Sequence, residues 1–115
     1  MTETLKLEHF ERAWIVCQSE VERVNRLNGW WEVDRNKAEL LMLMVTELAE
    51  ACEALRHGNI PSDHLPQFSG EVEELADCII RIMDYAAGFG LPVGAAILDK
   101  IEYNKGRGYK HGKEF

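Results

Sequence analysis

Residues that break helices cluster at four places along this chain: Asn28-Gly29, 58–70, 88–92 and 106–108. The segments between them repeat apolar residues every three or four positions, as a helix with one buried face requires. In the first segment the repeat consists of Phe10, Trp14, Cys17, Val21 and Val24. Strand signals are weak, so the pattern predicts an all-α, four-helix bundle forming a single domain over residues 1–115.

The breakers and caps predict helices over residues 7–27, 37–57, 70–89 and 92–107. Asn36 is a good cap for the second helix, and Glu39 three residues later completes a capping box. Ser69 suits the start of the third helix, and Pro92 suits the first turn of the fourth. Apolar residues cover roughly 200° of the third helix, more than one monomer face needs. We therefore expect a homo-oligomer, either a homodimer or a homotetramer.

Net charge and hydropathy exclude several partners. The net charge of −7 argues against a nucleic-acid polymer or an anionic membrane, since both attract basic surfaces. No apolar run approaches the roughly 18–20 residues that span a bilayer. The start, MTETLKLEHFER, is charged and lacks a signal-peptide core. Three single cysteines without CxxC spacing suggest reduced thiols packed as small apolar groups, and we expect a cytoplasmic protein.

Glu47 lies inside the apolar stripe of the second helix, about 20° from Leu40 on a helical wheel. Burial of a carboxylate is costly unless a partner compensates it. Leu43 and Ala51, one turn away on either side, offer none. The partner must therefore come from another helix, either as a cation that pairs with Glu47 or as a shared site.

A second acidic pair favours the shared site. Glu47-Leu-Ala-Glu50 is nearly repeated in the third helix as Glu74-Leu-Ala-Asp77, and i, i+3 spacing puts both acids of each pair on one side of their helix. Neighbouring helices joined by a short loop pack antiparallel, so four carboxylates can converge. Oxygen ligands alone select hard cations, and Mg²⁺ binds carboxylates together with substrate phosphates. A di-iron bundle would need Glu-x-x-His pairs, which the sequence lacks.

These motifs resemble the MazG-like, all-α nucleoside triphosphate pyrophosphohydrolases. The resemblance extends over roughly residues 28–113. Besides the two acidic pairs, it rests on Gly29-Trp30-Trp31, on Lys100-x-x-x-Asn104-x-x-Arg107 and on the tail Tyr109-Lys110-His111-Gly112-Lys113.

The resemblance implies cleavage between the α- and β-phosphates of a nucleoside triphosphate, giving monophosphate and pyrophosphate. It implies that the four acids bind Mg²⁺, for which Mn²⁺ can substitute. Lys100 and Arg107 would be cationic partners for phosphate oxygens, with Asn104 as a hydrogen-bond donor. The alternative for these three residues is a solvated helix end whose cations match the helix dipole.

Other roles stay open at this point. Some relatives have a glutamate where this chain has Thr46, so the general base is either Glu50 or no separate residue, with water activated by the metal alone. Trp31 either stacks on the base, as the resemblance suggests, or fills the core. The tail with Lys110 either folds over phosphates as a flap or is a disordered terminus.

We expect a Mg²⁺-dependent pyrophosphohydrolase of a canonical or damaged deoxynucleotide, with a role in nucleotide-pool cleaning. One rival is a phosphoribosyl-ATP pyrophosphohydrolase, against which the Gly-Trp-Trp loop weighs slightly. Another is a non-catalytic helical module that binds nucleotide or a partner protein. The intact acids disfavour this module, since a sensor needs fewer of them.

Overall fold

The structure is a computed structural model, and it describes residues 3–115. Its helices are α1 (Glu3–Leu27), α2 (Lys37–Arg56), α3 (Gly70–Phe89) and α4 (Val93–Lys105), followed by a short 3₁₀ turn at Tyr109–Gly112. Residues 3–115 contain no strand. The all-α prediction with four helices is confirmed, although α1 begins earlier than expected and α4 is shorter at both ends.

The predicted helix caps of α2 and α3 are present. The Asn36 side chain accepts a hydrogen bond from the Glu39 N–H at 2.9 Å, and the Ser69 hydroxyl accepts one from the Val72 N–H at 3.3 Å. Pro92 precedes α4 as its cap residue and makes no side-chain capping bond, so the prediction that it occupies the first turn was wrong by one position.

Helix α2 packs along α3 over the longest interface, while α1 packs on α3 and α4 packs on α1. The α1–α4 contact is close at Gly94, where a β-carbon would lie 2.8 Å from Cδ1 of Trp14. The acids of α2 and α3 are thereby brought side by side, whereas α4 is held against a different helix.

The core is small. Among residues 7–115, its buried apolar residues are Leu40, Ala51, Cys78 and Ala86. Cys17 and Cys52 are exposed, so the expectation of packed thiols holds only for Cys78. The accessible surface is 8717 Å², against about 6,400 Å² for a compact monomer of this mass. The radius of gyration is 16.7 Å, against about 13 Å for a compact chain of this length.

Part of the excess surface is apolar and ordered in stripes. Along α2, three exposed residues lie on one side at helical spacing, Leu41, Val45 and Leu48. A second stripe on α3 contains Val72, Leu75 and Ile79, each more than two-fifths exposed. Apolar surface of this extent is typical of faces that a partner covers.

Of residues 3–115, no single helix is both long and apolar enough to cross a bilayer. Helices α3 and α4 satisfy the length and composition requirements only together, and they meet at a bend of 115°.

Candidate functional site

Glu47 is buried to 6 % exposure in the contact between α2 and α3. Its Oε1 accepts a hydrogen bond from Arg81 Nε on α3 at 2.8 Å. Its Oε2 is buried and has no hydrogen-bond partner among the described residues. The prediction that a partner comes from another helix is confirmed, but one cation satisfies only half of this carboxylate.

Three of the four predicted acids form one cluster. Glu47, Glu50 and Glu74 each offer a carboxylate oxygen, and these oxygens lie within 4.8 Å of one another. The Oε2 atom of Glu74 is, like that of Glu47, buried without a hydrogen-bond partner in the part of the chain described. While these acids are ionised, two such oxygens in one cluster carry a desolvation cost that no hydrogen bond from residues 7–115 offsets.

Asp77 belongs to an adjoining group rather than to the same three-oxygen set. It shares Glu74 with the first cluster, and its other neighbour is Glu73, again with oxygens within 4.8 Å. Sequence reasoning did not select Glu73, which also accepts a hydrogen bond from the Ser62 hydroxyl in the loop before α3. The structure thus links all four predicted acids through Glu74.

Crowding and burial alter the protonation of these acids. Burial raises the pKa of Glu74 to about 8, and hydrogen bonding to Glu50 and Glu47 favours its protonated form. Burial also raises the pKa of Asp77, together with the charges of Glu47 and Glu73. At neutral pH the cluster therefore holds a proton on Glu74.

Glu47 behaves differently because of Arg81. Burial opposes its ionisation, but hydrogen bonds from Arg81 and with the neighbouring Glu50 and Glu74 outweigh this effect and lower the pKa of Glu47. The cluster combines a stable carboxylate with a neighbouring carboxyl group that ionises near neutral pH. Such a pair can release a proton when a cation binds.

The donor set fits a hard divalent cation. Every candidate ligand atom is a carboxylate oxygen, and Glu47 and Glu74 each have one buried oxygen without a partner among the described residues. Mg²⁺ and Mn²⁺ prefer such ligands, whereas zinc sites use nitrogen or sulfur.

No protein-family model, curated protein or solved structure matches this chain.

A cavity of about 530 Å³ lies beside the cluster, between the end of α1, the loop before α2, and helices α2 and α3. Glu47 and Asp77 form part of its wall, so the acids face the cavity directly. Its lining also contains two cations and two aromatic residues, Arg35, Arg81, Trp30 and Tyr85. The cavity therefore combines negative, positive and aromatic surface.

The two tryptophans of the loop have different positions. Trp31 does not line the cavity; its ring packs on Gly88 and lies 5.5 Å from the Phe89 ring, edge to face. Its indole N–H donates to Asp84 Oδ1 at 2.9 Å. Trp30 is 60 % exposed and does line the cavity. The geometry supports the core-filling alternative for Trp31, and it leaves the Trp30 ring accessible at the cavity wall.

Arg35 and Asp84 form a second polar pair in the cavity wall that sequence reasoning missed. The Arg35 guanidinium lies 3.7 Å from Asp84 Oδ2 and is stacked near Trp31, 5.3 Å from its ring centre. Asp84 is buried to 6 % exposure. In the sequence, the one signal for this position was spacing: Asp84 follows Asp77 by two helical turns, which places both on the same face of α3.

The predicted phosphate contacts of α4 and the tail lie apart from the acids. No residue of α4 or the tail lines the cavity. Lys100 and Arg107 stand over the Tyr103 ring at 4.6 and 5.6 Å, and Lys110 stands over Tyr109 at 5.7 Å. Asn104 is exposed on the same helix. Within one chain, the structure does not bring these four residues to the acidic cluster.

Thr46 also has a local role. Its hydroxyl donates to the Leu43 carbonyl at 2.6 Å within α2. It is therefore engaged by its own helix, whereas Glu50 is exposed at the edge of the cluster.

Proposed function

We propose that this chain is a Mg²⁺-dependent nucleoside triphosphate pyrophosphohydrolase that acts in the cytoplasm, yields monophosphate and pyrophosphate, and clears unwanted deoxynucleotides. The observation that carries the proposal is the position of two buried, unpartnered carboxylate oxygens beside a cavity with aromatic and cationic walls. The resemblance of the acidic pairs and of the fourth helix to MazG-like enzymes supports the same conclusion.

In this proposal Glu47, Glu50, Glu74 and Asp77 hold the divalent ion. The ion supplies neutralisation of phosphate charge, the main requirement of phosphoryl transfer. Glu50 accepts the proton of the attacking water, since it is the exposed member of the cluster and remains in contact with solvent. The cost of burying Glu47 is then explained, because its second oxygen serves the cation.

The nucleoside occupies the cavity in this proposal. A volume of about 530 Å³ lies within the usual range for small-molecule sites. Trp30 offers an exposed ring on which a base can stack, and Arg35 and Asp84 offer a donor and an acceptor for its polar edge. Trp31 supports these groups from behind through its bond to Asp84.

The enzyme functions as a homo-oligomer in this proposal. The exposed stripes on α2 and α3 provide apolar surface for a second copy of the chain. Lys100, Asn104, Arg107 and Lys110 then keep their proposed contact with phosphates by reaching the cavity of a neighbouring copy. This arrangement accounts for the separation of these residues from the acids within one chain.

An assay of pyrophosphate release from a panel of nucleoside triphosphates, with phosphoribosyl-ATP included, tests the proposal. We expect release that requires Mg²⁺ or Mn²⁺ and stops in EDTA. Glu47→Gln should abolish activity, and Glu53→Gln on the exposed side of α2 should retain it. Orthophosphate as the first product would reject the assignment. Nucleotide binding without any hydrolysis would favour the non-catalytic module instead.

A further inference from the structure

Among the side chains of residues 7–115, Arg81 is the only cation that forms an ion pair with the acidic cluster. It lies on α3 one turn beyond Asp77, with a side chain that is 39 % exposed. It also forms part of the cavity wall. Its guanidinium therefore touches a buried acid of the cluster and the adjoining cavity at the same time.

The Arg81 contact and the binding of a divalent ion compete for the same carboxylate. Arg81 Nε lies 2.8 Å from Oε1 of Glu47, whose oxygens lie next to those of Glu50 and Glu74. An ion bound by these three acids would bring two positive charges to Glu47 within a few ångströms, in a poorly solvated site. Repulsion between like charges is strong in such surroundings.

Arg81 can leave Glu47 without disturbing the core. More than a third of its side chain is already exposed, and the cavity offers space beside it. The guanidinium would keep its hydration there, and a planar fork of donors suits phosphate oxygens. By contrast, Arg35 is only 15 % exposed and remains paired with Asp84.

We infer that Arg81 is an exchangeable counter-ion. It neutralises Glu47 in the metal-free protein, leaves when the divalent ion binds, and then contacts a phosphate of the ligand. The inference rests on the proposed function for the metal and the phosphate ligand. It assigns Arg81 two successive partners, so that metal binding prepares the site for the phosphate.

Because Arg81 has two successive partners in this inference, Arg81→Gln should change the affinities for the metal and for the phosphate in opposite directions. Loss of the competing guanidinium should tighten metal binding, while loss of a charged donor should weaken phosphate binding. If Arg81 had only a structural role, its loss would disturb the α2–α3 contact and weaken the binding of both the metal and the phosphate. Arg35→Gln is the matched control for metal binding, since it removes a cation from the same cavity without touching the cluster.

The first experiment titrates Mn²⁺ at pH 8 without nucleotide and follows the free ion by electron paramagnetic resonance. Arg81→Gln should lower the Mn²⁺ dissociation constant on the order of tenfold, the scale of outer contacts at metal sites. Arg35→Gln should leave the constant near the wild-type value. Equal tightening by both variants would show a general charge effect and overturn the exchange.

The second experiment measures binding of inorganic triphosphate in saturating Mn²⁺. Arg81→Gln should weaken it on the order of tenfold, as expected for loss of a hydrogen bond to a charged group. Unchanged or weaker Mn²⁺ binding, or unchanged triphosphate binding, would overturn the inference while leaving wild-type metal binding intact. A wild type that binds no Mn²⁺ would instead refute the proposed metal site, and this inference with it.

A measurement on the wild type covers the case in which Arg81→Gln does not fold. The Nε–H resonance of Arg81, assigned with Arg81→Lys, can be followed by nitrogen-15 NMR as Mg²⁺ is added without nucleotide. We expect it to move toward the position of a solvated arginine. A resonance that keeps its hydrogen-bonded position at saturating Mg²⁺ would overturn the exchange.

Discussion

The ring of Trp31 occupies the space that a β-carbon on Gly88 would need. Gly88 lies inside α3, and the nearest atoms to such a β-carbon would be Cη2, Cζ2 and Cζ3 of Trp31. A glycine inside a helix is unfavourable by its own propensity, so this position must have a compensating contact. The loop between α1 and α2 is thereby held against α3, next to the cavity.

Gly88→Ala should destabilise the protein even though alanine favours a helix by about 1 kcal/mol over glycine. The reason is that the added methyl group displaces the Trp31 ring, which is rigid and packed on Phe89. Thermal unfolding is the measurement, with Gly106→Ala as control, because a β-carbon there would lie 3.7 Å from the Tyr103 carbonyl oxygen, an ordinary contact distance. A Gly88→Ala variant as stable as the control would contradict the close contact.

Trp30→Ala and Trp31→Ala should affect different properties. Trp31 is packed and hydrogen-bonded, and its loss should lower the free energy of unfolding by about 3 kcal/mol. Trp30 is 60 % exposed, and its loss should leave stability nearly unchanged. Nucleotide binding by Trp30→Ala should weaken by about 1–3 kcal/mol if a base stacks on it. Calorimetry measures nucleotide binding, and thermal melts measure stability. If Trp31→Ala folds fully and binds nucleotide more weakly, while Trp30→Ala binds it normally, the stacking role belongs to Trp31.

Stability in EDTA should fall as the pH rises from about 4.5 to 8. Glu74 has a pKa of about 8 in the folded chain and an ordinary value of 4.5. Between these values the folded state binds more protons than the unfolded state, so raising the pH favours unfolding. Asp77 acts in the same direction, whereas the lowered pKa of Glu47 acts only below pH 4.5.

Melting temperatures across this pH range, with and without Mg²⁺, measure the effect. Glu74→Gln should flatten the dependence in EDTA, because glutamine resembles the protonated acid. The gain from Mg²⁺ should be larger at pH 8.5 than at pH 6, since the ion binds the ionised cluster. A stability in EDTA that rises with pH over this range would mean that the acids are not crowded.

Val45→Glu should dissociate the proposed homo-oligomer. Val45 is half exposed in the middle of the α2 stripe, where a partner would bury it, and an unpaired charge at a buried interface is costly. Val33→Glu is the control, because Val33 is 73 % exposed in the loop before α2. Light scattering should show an oligomer for wild type and Val33→Glu and a smaller particle for Val45→Glu. A wild-type monomer would refute self-association.

Mixing two inactive variants should restore activity if α4 serves a neighbouring copy. Lys100→Ala retains the acids, and Glu47→Gln retains the α4 cation, so a mixed oligomer contains sites with both intact. Refolding the two together and measuring pyrophosphate release tests this against each variant alone. Activity no greater than the sum of the separate variants would place both residues in the site of one chain, or Lys100 outside it.

The helices followed from local chemistry. Apolar spacing and the breakers located all four of them, and the caps Asn36 and Ser69 were correct because the capping bonds join residues only three apart. The burial of Glu47 was also visible, since its angle on α2 depends on the helical repeat alone.

The tertiary structure decided which side chains meet. Arg81 and Glu47 are 34 residues apart in the sequence, and so are Cys78 and the Met44 carbonyl. These pairs meet only because α3 packs along α2 in a register that periodicity does not specify. The choice between Trp30 and Trp31 depended on Gly88 and Asp84, which both contact Trp31 although Asp84 is 53 residues from it in the sequence. Sequence determined the faces of the helices; packing decided whether each buried charge met a cation, a second acid or a cavity, because those contacts depend on the relative placement of separate helices.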